Sequence, residues 1–181
     1  VNSGNLTLIH NGIDLKLFDS FEAPRIIDLM YLGRLKEHKR VDLLLHAVRY
    51  IQKNYNLGLH LVVVGDGPEL VPLKQLAEVL KISELIEFKG EINSNKVIAD
   101  MMCQSKLFIN PSIKEGGGSI TLFEAYASGM PAVVFACKDG VDPCLINNCN
   151  TGVLVSEVSS EALGEAIYQI YSNDENLELM R

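Results

Sequence analysis

The sequence predicts an α/β fold: a doubly wound, Rossmann-like domain whose parallel sheet contains about six strands. Six short and almost uninterrupted apolar runs alternate with amphipathic segments of helical period, which is typical of parallel strands covered on both faces by crossover helices. The first three runs end at a glycine, where the chain turns toward the next helix. The chain of 181 residues, 48% of them hydrophobic, is long enough for one domain with a full core.

The six predicted strands are rich in leucine, β-branched and aromatic residues and are bounded by turn-forming residues. In chain order they occupy residues 26–32, 60–64, 85–88, 107–109, 132–136 and 152–155. A shorter apolar segment, residues 7–10, precedes the turn signal Asn11-Gly12 and is interpreted as a lead-in strand before the core.

The predicted helices carry their apolar residues on one face at helical spacing. The first covers about residues 40–53 and the third about residues 96–104. The second begins at Pro68, because proline is favoured at the first helical position. The last helix buries apolar residues between positions 163 and 170.

The fourth helix lies between the fourth and fifth strands. Thr121, followed three residues later by Glu124, matches a capping box, in which both side chains accept hydrogen bonds from early helix amides. Gly129 then supplies the left-handed position after the helix, and Pro131 prevents its continuation.

A glycine loop stands directly before this helix. Gly116, Gly117 and Gly118 let the backbone approach an anion, which the free amides and the positive end of the helix dipole would hold. A purely structural helix start is the other interpretation, and the capping box supports it. It leaves unexplained a second acid, Glu115, on the far side of the three glycines.

Candidate ligand-binding residues follow each of the first four predicted strands. In chain order these are Gly33-Arg34, Gly65-Asp66-Gly67, Gly90-Glu91 and Glu115 with its glycines. Ligands of doubly wound sheets bind outside the carboxyl ends of the strands, where the direction of winding reverses. The coincidence of these positions favours a ligand site over a structural role.

Several other function classes are disfavoured. A net charge of −7 argues against a nucleic-acid partner, whose backbone is bound by many Lys and Arg side chains. The four cysteines lack CxxC spacing, which disfavours a zinc site. Leu70 stands where a dinucleotide-binding motif starting at Gly65 needs its third glycine, which disfavours an NAD-dependent enzyme. The absence of G-x-S-x-G disfavours that type of hydrolase.

An ordered set of short motifs runs along the chain. They are His10-Asn11-Gly12-Ile13-Asp14, Gly33-Arg34-Leu35 with Lys39, Gly65-Asp66-Gly67-Pro68, Phe88-Lys89-Gly90, Asn110-Pro111-Ser112, Glu115-Gly116, Glu124-Ala125, Gly129-Met130-Pro131 and Gly152. In this order the motifs resemble the C-terminal, nucleotide-sugar-binding domain of the retaining GT-B glycosyltransferases of the "group 1" (family 4) type. The resemblance covers nearly the whole chain.

The resemblance implies a role for each matched residue. Arg34 and Lys39 match the basic pair on the donor diphosphate, where they would offset the charge that grows on the leaving group. Glu115 matches the acid that faces the transferred sugar, and Glu124 the acid that binds the ribose hydroxyls. Further donor-binding positions are Gly33, Gly65, the base-reading segment Gly90-Glu91-Ile92, and the loop and helix start Gly116, Gly117, Gly118, Ser119, Ile120 and Thr121.

Two features depart from the family pattern. Eight residues separate Glu115 from Glu124, one more than is usual, so the loop either bulges with Glu115 in place or moves Glu115 away from the sugar. Arg40 stands where the family commonly has glycine.

The resemblance also implies an activity. We expect transfer of a hexose, such as mannose, glucose or galactose, from a nucleoside diphosphate sugar to a glycan or lipid-linked acceptor with retention, without a cofactor or metal. Residues 1–25 are interpreted as a linker and lead-in strand from a missing N-terminal acceptor domain, 26–173 as the donor-binding domain and 174–181 as a tail. The expected location is the cytoplasm, at the inner face of the membrane where the full-length protein associates with it.

Two other functions stay open on the same fold. One is a nucleotide-binding or interaction module that has lost transfer activity, for which the altered spacing of the two acids is the supporting feature. The other is a nucleotide-sugar epimerase, which would need catalytic acids and a histidine in the cleft.

Overall fold

The computed structural model of the chain describes residues 12–19, 22, 24–115, 119–146, 151–173, 175 and 177. The predicted lead-in strand at residues 7–10 and the glycines Gly116, Gly117 and Gly118 lie outside the described residues.

The described residues contain six strands and five α-helices. The strands β1 to β6 are Ile27–Leu32, Leu61–Val64, Ile86–Gly90, Ser105–Asn110, Ala132–Phe135 and Gly152–Val155. The helices α1 to α5 are Val41–Tyr55, Leu70–Val79, Asn95–Cys103, Ile120–Ala127 and Ser160–Tyr171. The predicted strands differ from these by at most two residues at either end, and the predicted fold class is confirmed.

All six strands lie parallel in one sheet, in the order β3-β2-β1-β4-β5-β6. Met30 of β1 stands opposite Val62 of β2 on one side and Phe108 of β4 on the other. The chain therefore winds outward from β1 in one direction and from β4 in the other. This order places the reversal of winding, and the crevice that accompanies it, between β1 and β4.

Two hydrophobic layers cover the sheet, one on each face. Alternating residues of β1 enter opposite layers, since Leu29 and Tyr31 pack on the face of α1, α2 and α5 while Met30 packs on the face of α3 and α4. All three side chains are almost completely buried. Burial on both faces explains why the central strands are apolar without alternation in the sequence.

Close backbone packing accounts for the glycines after β2. Gly65 has φ +135°, and a Cβ atom there would lie 1.9 Å from the carbonyl oxygen of Gly33. A Cβ atom at Gly67 would lie 2.3 Å from the carbonyl oxygen of Leu35. The Leu35 amide donates to the carbonyl of Asp66 at 2.9 Å. The loops after β1 and β2 are thus joined through their backbones, and only glycine fits between them.

The second helix begins later than predicted. Pro68 is not its first residue, because α2 starts at Leu70. The Leu70 amide first closes a turn onto the carbonyl of Gly67 at 3.1 Å, and the Glu69 amide donates to the carbonyl of Leu35. The contact with the loop after β1 therefore holds Pro68 in a turn ahead of the helix.

The predicted capping box of α4 is wrong, whereas its C-terminal signal is confirmed. The N-cap is Ser119, so Thr121 and Glu124 both lie inside the helix. At the other end Gly129 has φ +65°. Its amide donates to Tyr126, and the amide of Met130 donates to Ala125, which is the Schellman arrangement.

Candidate functional site

The loop after β1 folds back onto the end of its own strand. The Gly33 amide donates to the carbonyl of Val64, and the Tyr31 hydroxyl donates to the carbonyl of Arg34 at 3.1 Å. A short 3₁₀ helix, Glu37–Lys39, follows. The Arg34 side chain is left exposed, and no hydrogen bond to its guanidinium is found among the described residues.

Arg40, which replaces the family's usual glycine, adopts a left-handed backbone. Its φ and ψ are 49° and 38°, a conformation that glycine reaches without the steric cost borne by other residues. The guanidinium makes two hydrogen bonds of 3.0 Å to the carboxylate of Asp42 in the first turn of α1. This geometry explains why glycine suits the position, and the contact with Asp42 partly compensates for arginine there.

The loop after β4 is tied to the 3₁₀ helix. The Ile113 amide donates to the carbonyl of His38 at 3.0 Å, and the Ser112 hydroxyl donates to the same carbonyl at 3.3 Å. The side chain of Asn110 accepts from the Ser112 amide and is almost fully buried. The Asn110-Pro111-Ser112 motif thereby holds the loop after β4 against the loop after β1.

Lys39 and Glu115 meet across the crevice between β1 and β4. Lys39 Nζ lies 2.6 Å from Glu115 Oε1, and the two side chains are 18% and 9% exposed. The Glu115 amide donates to the carbonyl of Asp139, in the loop after β5, at 2.7 Å. Glu115 is therefore held through both its backbone and its side chain at the point where winding reverses, despite the extra residue in the glycine loop.

Tyr31 links this ion pair to the loop after β1. Burial, and to a smaller extent the negative charge of Glu115, raise the pKa of the Tyr31 phenol, because both disfavour the phenolate. The phenol therefore stays protonated and keeps its hydrogen bond to the carbonyl of Arg34.

A cleft of about 460 Å³ lies beside the exits of β1, β2 and β3. The Gly65 amide donates to the carbonyl of Gly90 at 2.8 Å, which joins the exits of β2 and β3. Half of the residues that line the cleft were predicted as donor-binding, and Asp66 and Gly67 belong to the same turn as Gly65. The full set is Leu32, Gly33, Arg34, Lys36, Val64, Gly65, Asp66, Gly67, Glu91 and Ile92.

A larger cleft of about 670 Å³ lies on the other side of the loop after β1. Its apolar residues are Val41, Leu73 and Ile113, and charged residues of both signs surround them. None of the predicted site residues lines it. Size alone therefore does not identify the site, whose predicted residues gather around the smaller cleft and the Lys39–Glu115 pair.

The start of α4 forms the third part of the site. The Ser119 hydroxyl pairs with that of Thr121 at 2.8 Å instead of capping the helix, and Ile120 is 49% exposed. Glu124 is half-buried, which raises the pKa of its carboxyl. Among the described residues no hydrogen bond to the Glu124 carboxylate is found.

Those predicted site residues that the structure describes thus fall into three groups at the carboxyl edge of the sheet, whereas Gly116, Gly117 and Gly118 lie outside the described residues. Sequence reasoning missed three contributors: Tyr31, the His38 carbonyl and the Asp139 carbonyl. Tyr31 could have been noticed as a polar-tipped residue near the carboxyl end of a buried strand. Nothing in the sequence marks the two carbonyls, because they act through the backbone.

Two further findings concern the described part of the chain. None of its helices combines the length and the apolar character needed to cross a membrane. Nor do its His, Cys, Asp and Glu side chains form a group of three or more that is placed to hold a metal ion. The expectation that no metal is needed stays a prediction.

Comparison with known proteins connects this geometry to one family. The family model described as "Glycosyl transferases group 1" matches residues 17–181. An uncharacterized glycosyltransferase of Methanocaldococcus jannaschii is 30% identical over 182 residues, which cover 96% of this chain and 45% of that protein. The chain thus spans about half the length of this curated relative.

Solved structures match the fold closely. The pneumococcal O-GlcNAc transferase GtfA, crystallised with UDP and GlcNAc, is 25% identical with a TM-score of 0.75, over 91% of this chain and 32% of that one. The C-terminal domain of the group 1 glycosyl transferase LpcC from Francisella tularensis is 23% identical with a TM-score of 0.77. That match covers 93% of this chain and 92% of that domain.

Proposed function

This chain belongs to the glycosyl transferases group 1 family, and we propose on that premise that it binds the nucleoside diphosphate sugar donor of a retaining transfer. The resemblance to GT-B enzymes of this type, stated from the motifs, is confirmed at the level of family and fold. The donor-binding role is the proposal, and the Lys39–Glu115 pair at the β1–β4 crevice is the observation that carries it.

The diphosphate would bind where positive groups converge. Arg34 and Lys39 follow β1, and the uncapped amides of α4 follow β4, which is the neighbouring strand. Charge-assisted hydrogen bonds from cations and helix amides are the usual means of holding phosphate. They would also stabilise the charge that develops on the leaving diphosphate during transfer.

The nucleoside would extend into the cleft of about 460 Å³. Its end is formed by Glu91 and Ile92 after β3, next to the Gly65 and Gly90 backbones. The ribose hydroxyls would reach Glu124, whose half-buried carboxylate has no partner among the described residues. The complex of the pneumococcal relative with UDP and GlcNAc supports a nucleotide sugar as the donor.

The transfer step would depend on positioning and on stabilisation of the leaving group. Glu115, fixed by Lys39 and the Asp139 carbonyl, would face the hydroxyls of a transferred hexose. The extra loop residue leaves Glu115 at the crevice, which favours an active transferase over the non-catalytic module. No metal or cofactor takes part in this proposal.

The acceptor is proposed to be a glycan or a lipid-linked sugar, bound by a further domain that completes the cleft. In this proposal the 181-residue chain alone binds donor but turns over little, and the full-length protein acts in the cytoplasm, at the inner face of the membrane when its acceptor is lipid-linked. Nucleic acid is not a proposed partner.

Titration of the chain with UDP, GDP and ADP, followed by amide NMR, tests the proposal. We expect one of the three to shift resonances of Arg34, Gly90, Glu91 and the start of α4. The absence of any such shift at millimolar nucleotide would remove the basis for a donor site. Full-length protein with radiolabelled nucleotide sugars and glycan or lipid acceptors then separates transferase from epimerase activity.

A further inference from the structure

Lys39 is paired with Glu115 within the site. Its ammonium lies 2.6 Å from Glu115 Oε1, with 18% of the Lys39 side chain and 9% of the Glu115 side chain exposed. No other hydrogen bond of the Lys39 ammonium is found among the described residues. The guanidinium of Arg34, in contrast, is exposed and makes no hydrogen bond with any residue that the structure describes. The two cations of the site therefore differ in their contacts with the rest of the protein.

The pairing changes what an incoming diphosphate meets. The positive charge of Lys39 is offset by the adjacent Glu115 carboxylate, so the pair attracts a phosphate only weakly. The carboxylate also repels the phosphate, because charges interact strongly at short range in a poorly hydrated crevice. If Lys39 turns to the phosphate, Glu115 loses its partner. A carboxylate as buried as this one is costly to leave without a hydrogen-bonding partner.

A sugar on the nucleotide would remove that cost. Its hydroxyls can donate to Glu115 in place of the lysine, whereas a nucleoside diphosphate carries no group that reaches beyond its second phosphate. The backbone of Glu115 is fixed by the Asp139 carbonyl, so the carboxylate stays in the crevice to receive them. Only the complete donor can therefore satisfy both members of the pair.

We propose that Lys39 exchanges partners, from Glu115 in the empty site to the diphosphate in the donor complex, and that this exchange favours the nucleotide sugar over the nucleoside diphosphate product. The inference rests on the proposed function and adds to it a selection between donor and product. After transfer the sugar hydroxyls leave, Glu115 takes Lys39 back, and the weakened grip on the diphosphate promotes its release.

The test is the effect of Glu115→Gln on two ligands, measured by calorimetry. Glutamine keeps the shape and can still accept from Lys39, but it removes the charge that competes with phosphate. We expect the nucleoside diphosphate that binds wild type, among UDP, GDP and ADP, to bind about tenfold more tightly, as for one released charge-assisted contact. The matching sugar, chosen from UDP-N-acetylglucosamine, UDP-glucose, GDP-mannose and ADP-glucose, should bind more weakly.

Two controls isolate the pair. Glu37→Gln removes one negative charge from the exposed side of the same 3₁₀ helix and should change both affinities less than twofold. The double variant Lys39→Ala, Glu115→Gln should not show the tighter diphosphate binding expected of Glu115→Gln, because it has no lysine that the substitution at Glu115 could release. Thermal unfolding and amide spectra verify that each variant is folded.

The outcomes separate the two proposals. Wild type that binds none of the nucleotides contradicts the proposed function, and the partner exchange with it. Wild type that binds, together with a folded Glu115→Gln variant whose diphosphate affinity is unchanged or lower, overturns the exchange alone. A purely structural ion pair would weaken both ligands together, so opposite signs for diphosphate and sugar are the distinguishing result.

Discussion

Lys39 and Glu115 lie 76 positions apart in the chain, yet their side chains meet at 2.6 Å across the line where the sheet reverses its winding. Lys39 follows β1 and Glu115 follows β4, and these strands are neighbours only because of the order β3-β2-β1-β4-β5-β6. The pair marks the crevice in which ligands of doubly wound sheets bind. Because Lys39 is paired with Glu115 and Arg34 is exposed, the contributions of these two basic residues to binding can be tested separately.

Arg34→Ala should weaken nucleoside diphosphate binding by about 1.5–3 kcal/mol, the range for a hydrogen bond to a charged group. The Arg34 guanidinium is exposed beside the cleft, so its loss removes a ligand contact without disturbing an ion pair. Lys53→Ala, at an exposed position in the last turn of α1, is the matched control. Calorimetric losses below about 0.5 kcal/mol for Arg34→Ala, which is typical of exposed charges, would show that this residue does not bind phosphate.

Glu124→Gln should weaken the nucleoside diphosphate and the nucleotide sugar alike, by about tenfold or 1.4 kcal/mol, because both ligands carry the ribose. Measured side by side with calorimetry, unequal losses for the two ligands would contradict ribose binding.

The same variant should be more stable than wild type at pH 7. Burial raises the pKa of the Glu124 carboxyl, so the folded state binds its proton more tightly than the unfolded state does. Ionisation of Glu124 therefore begins to oppose folding as the pH rises through the unfolded pKa, opposes it fully above the folded pKa, and has no effect below the unfolded pKa. We expect a higher melting temperature for Glu124→Gln at pH 7 and a vanishing difference below about pH 4. A lower melting temperature at pH 7 would mean that the carboxylate stabilises the fold.

Arg40→Gly should yield a more stable protein than Arg40→Ala, by about 1 kcal/mol. Both variants lose the contact with Asp42, so the comparison isolates the backbone, whose φ of 49° favours glycine. Urea unfolding measures the difference. Equal stability of the two variants would show that the left-handed conformation carries no cost at this position.

Gly65→Ala should lower the free energy of unfolding by more than about 2 kcal/mol. The added Cβ would lie 1.9 Å from the carbonyl oxygen of Gly33, so the loops after β1 and β2 must separate. Gly12→Ala is the control and should change stability little, because among the described residues nothing beyond its chain neighbours lies within 4 Å of the added Cβ. An unchanged free energy of unfolding for Gly65→Ala would contradict the close backbone packing between the loops after β1 and β2.

The extent of the strands, and with it the fold class, could be predicted from the sequence. A strand covered on both faces is apolar along nearly its whole length, so β2 and β5 are visible as uninterrupted runs and β1 as a run broken only by Asp28. The end of α4 was also predictable, because a left-handed glycine followed by proline is a local signal. The start of α4 was not, since the serine and threonine hydroxyls near it could cap in more than one way, and Ser119 and Thr121 pair with each other instead.

Of the candidate site, the sequence by itself determined which residue types follow which strand, and the family motifs that these residues form. Only the tertiary structure decided which of them touch. The order of the strands brought Lys39 to Glu115. The close approach of two backbones requires glycine at position 65. The packing around α4 leaves the Glu124 carboxylate half-buried and without a hydrogen-bonding partner among the described residues. Hydrophobic periodicity is a local property that can be read from consecutive residues. Contacts between loops depend instead on the order of the strands in the sheet and on backbone carbonyls, which the side-chain sequence does not reveal.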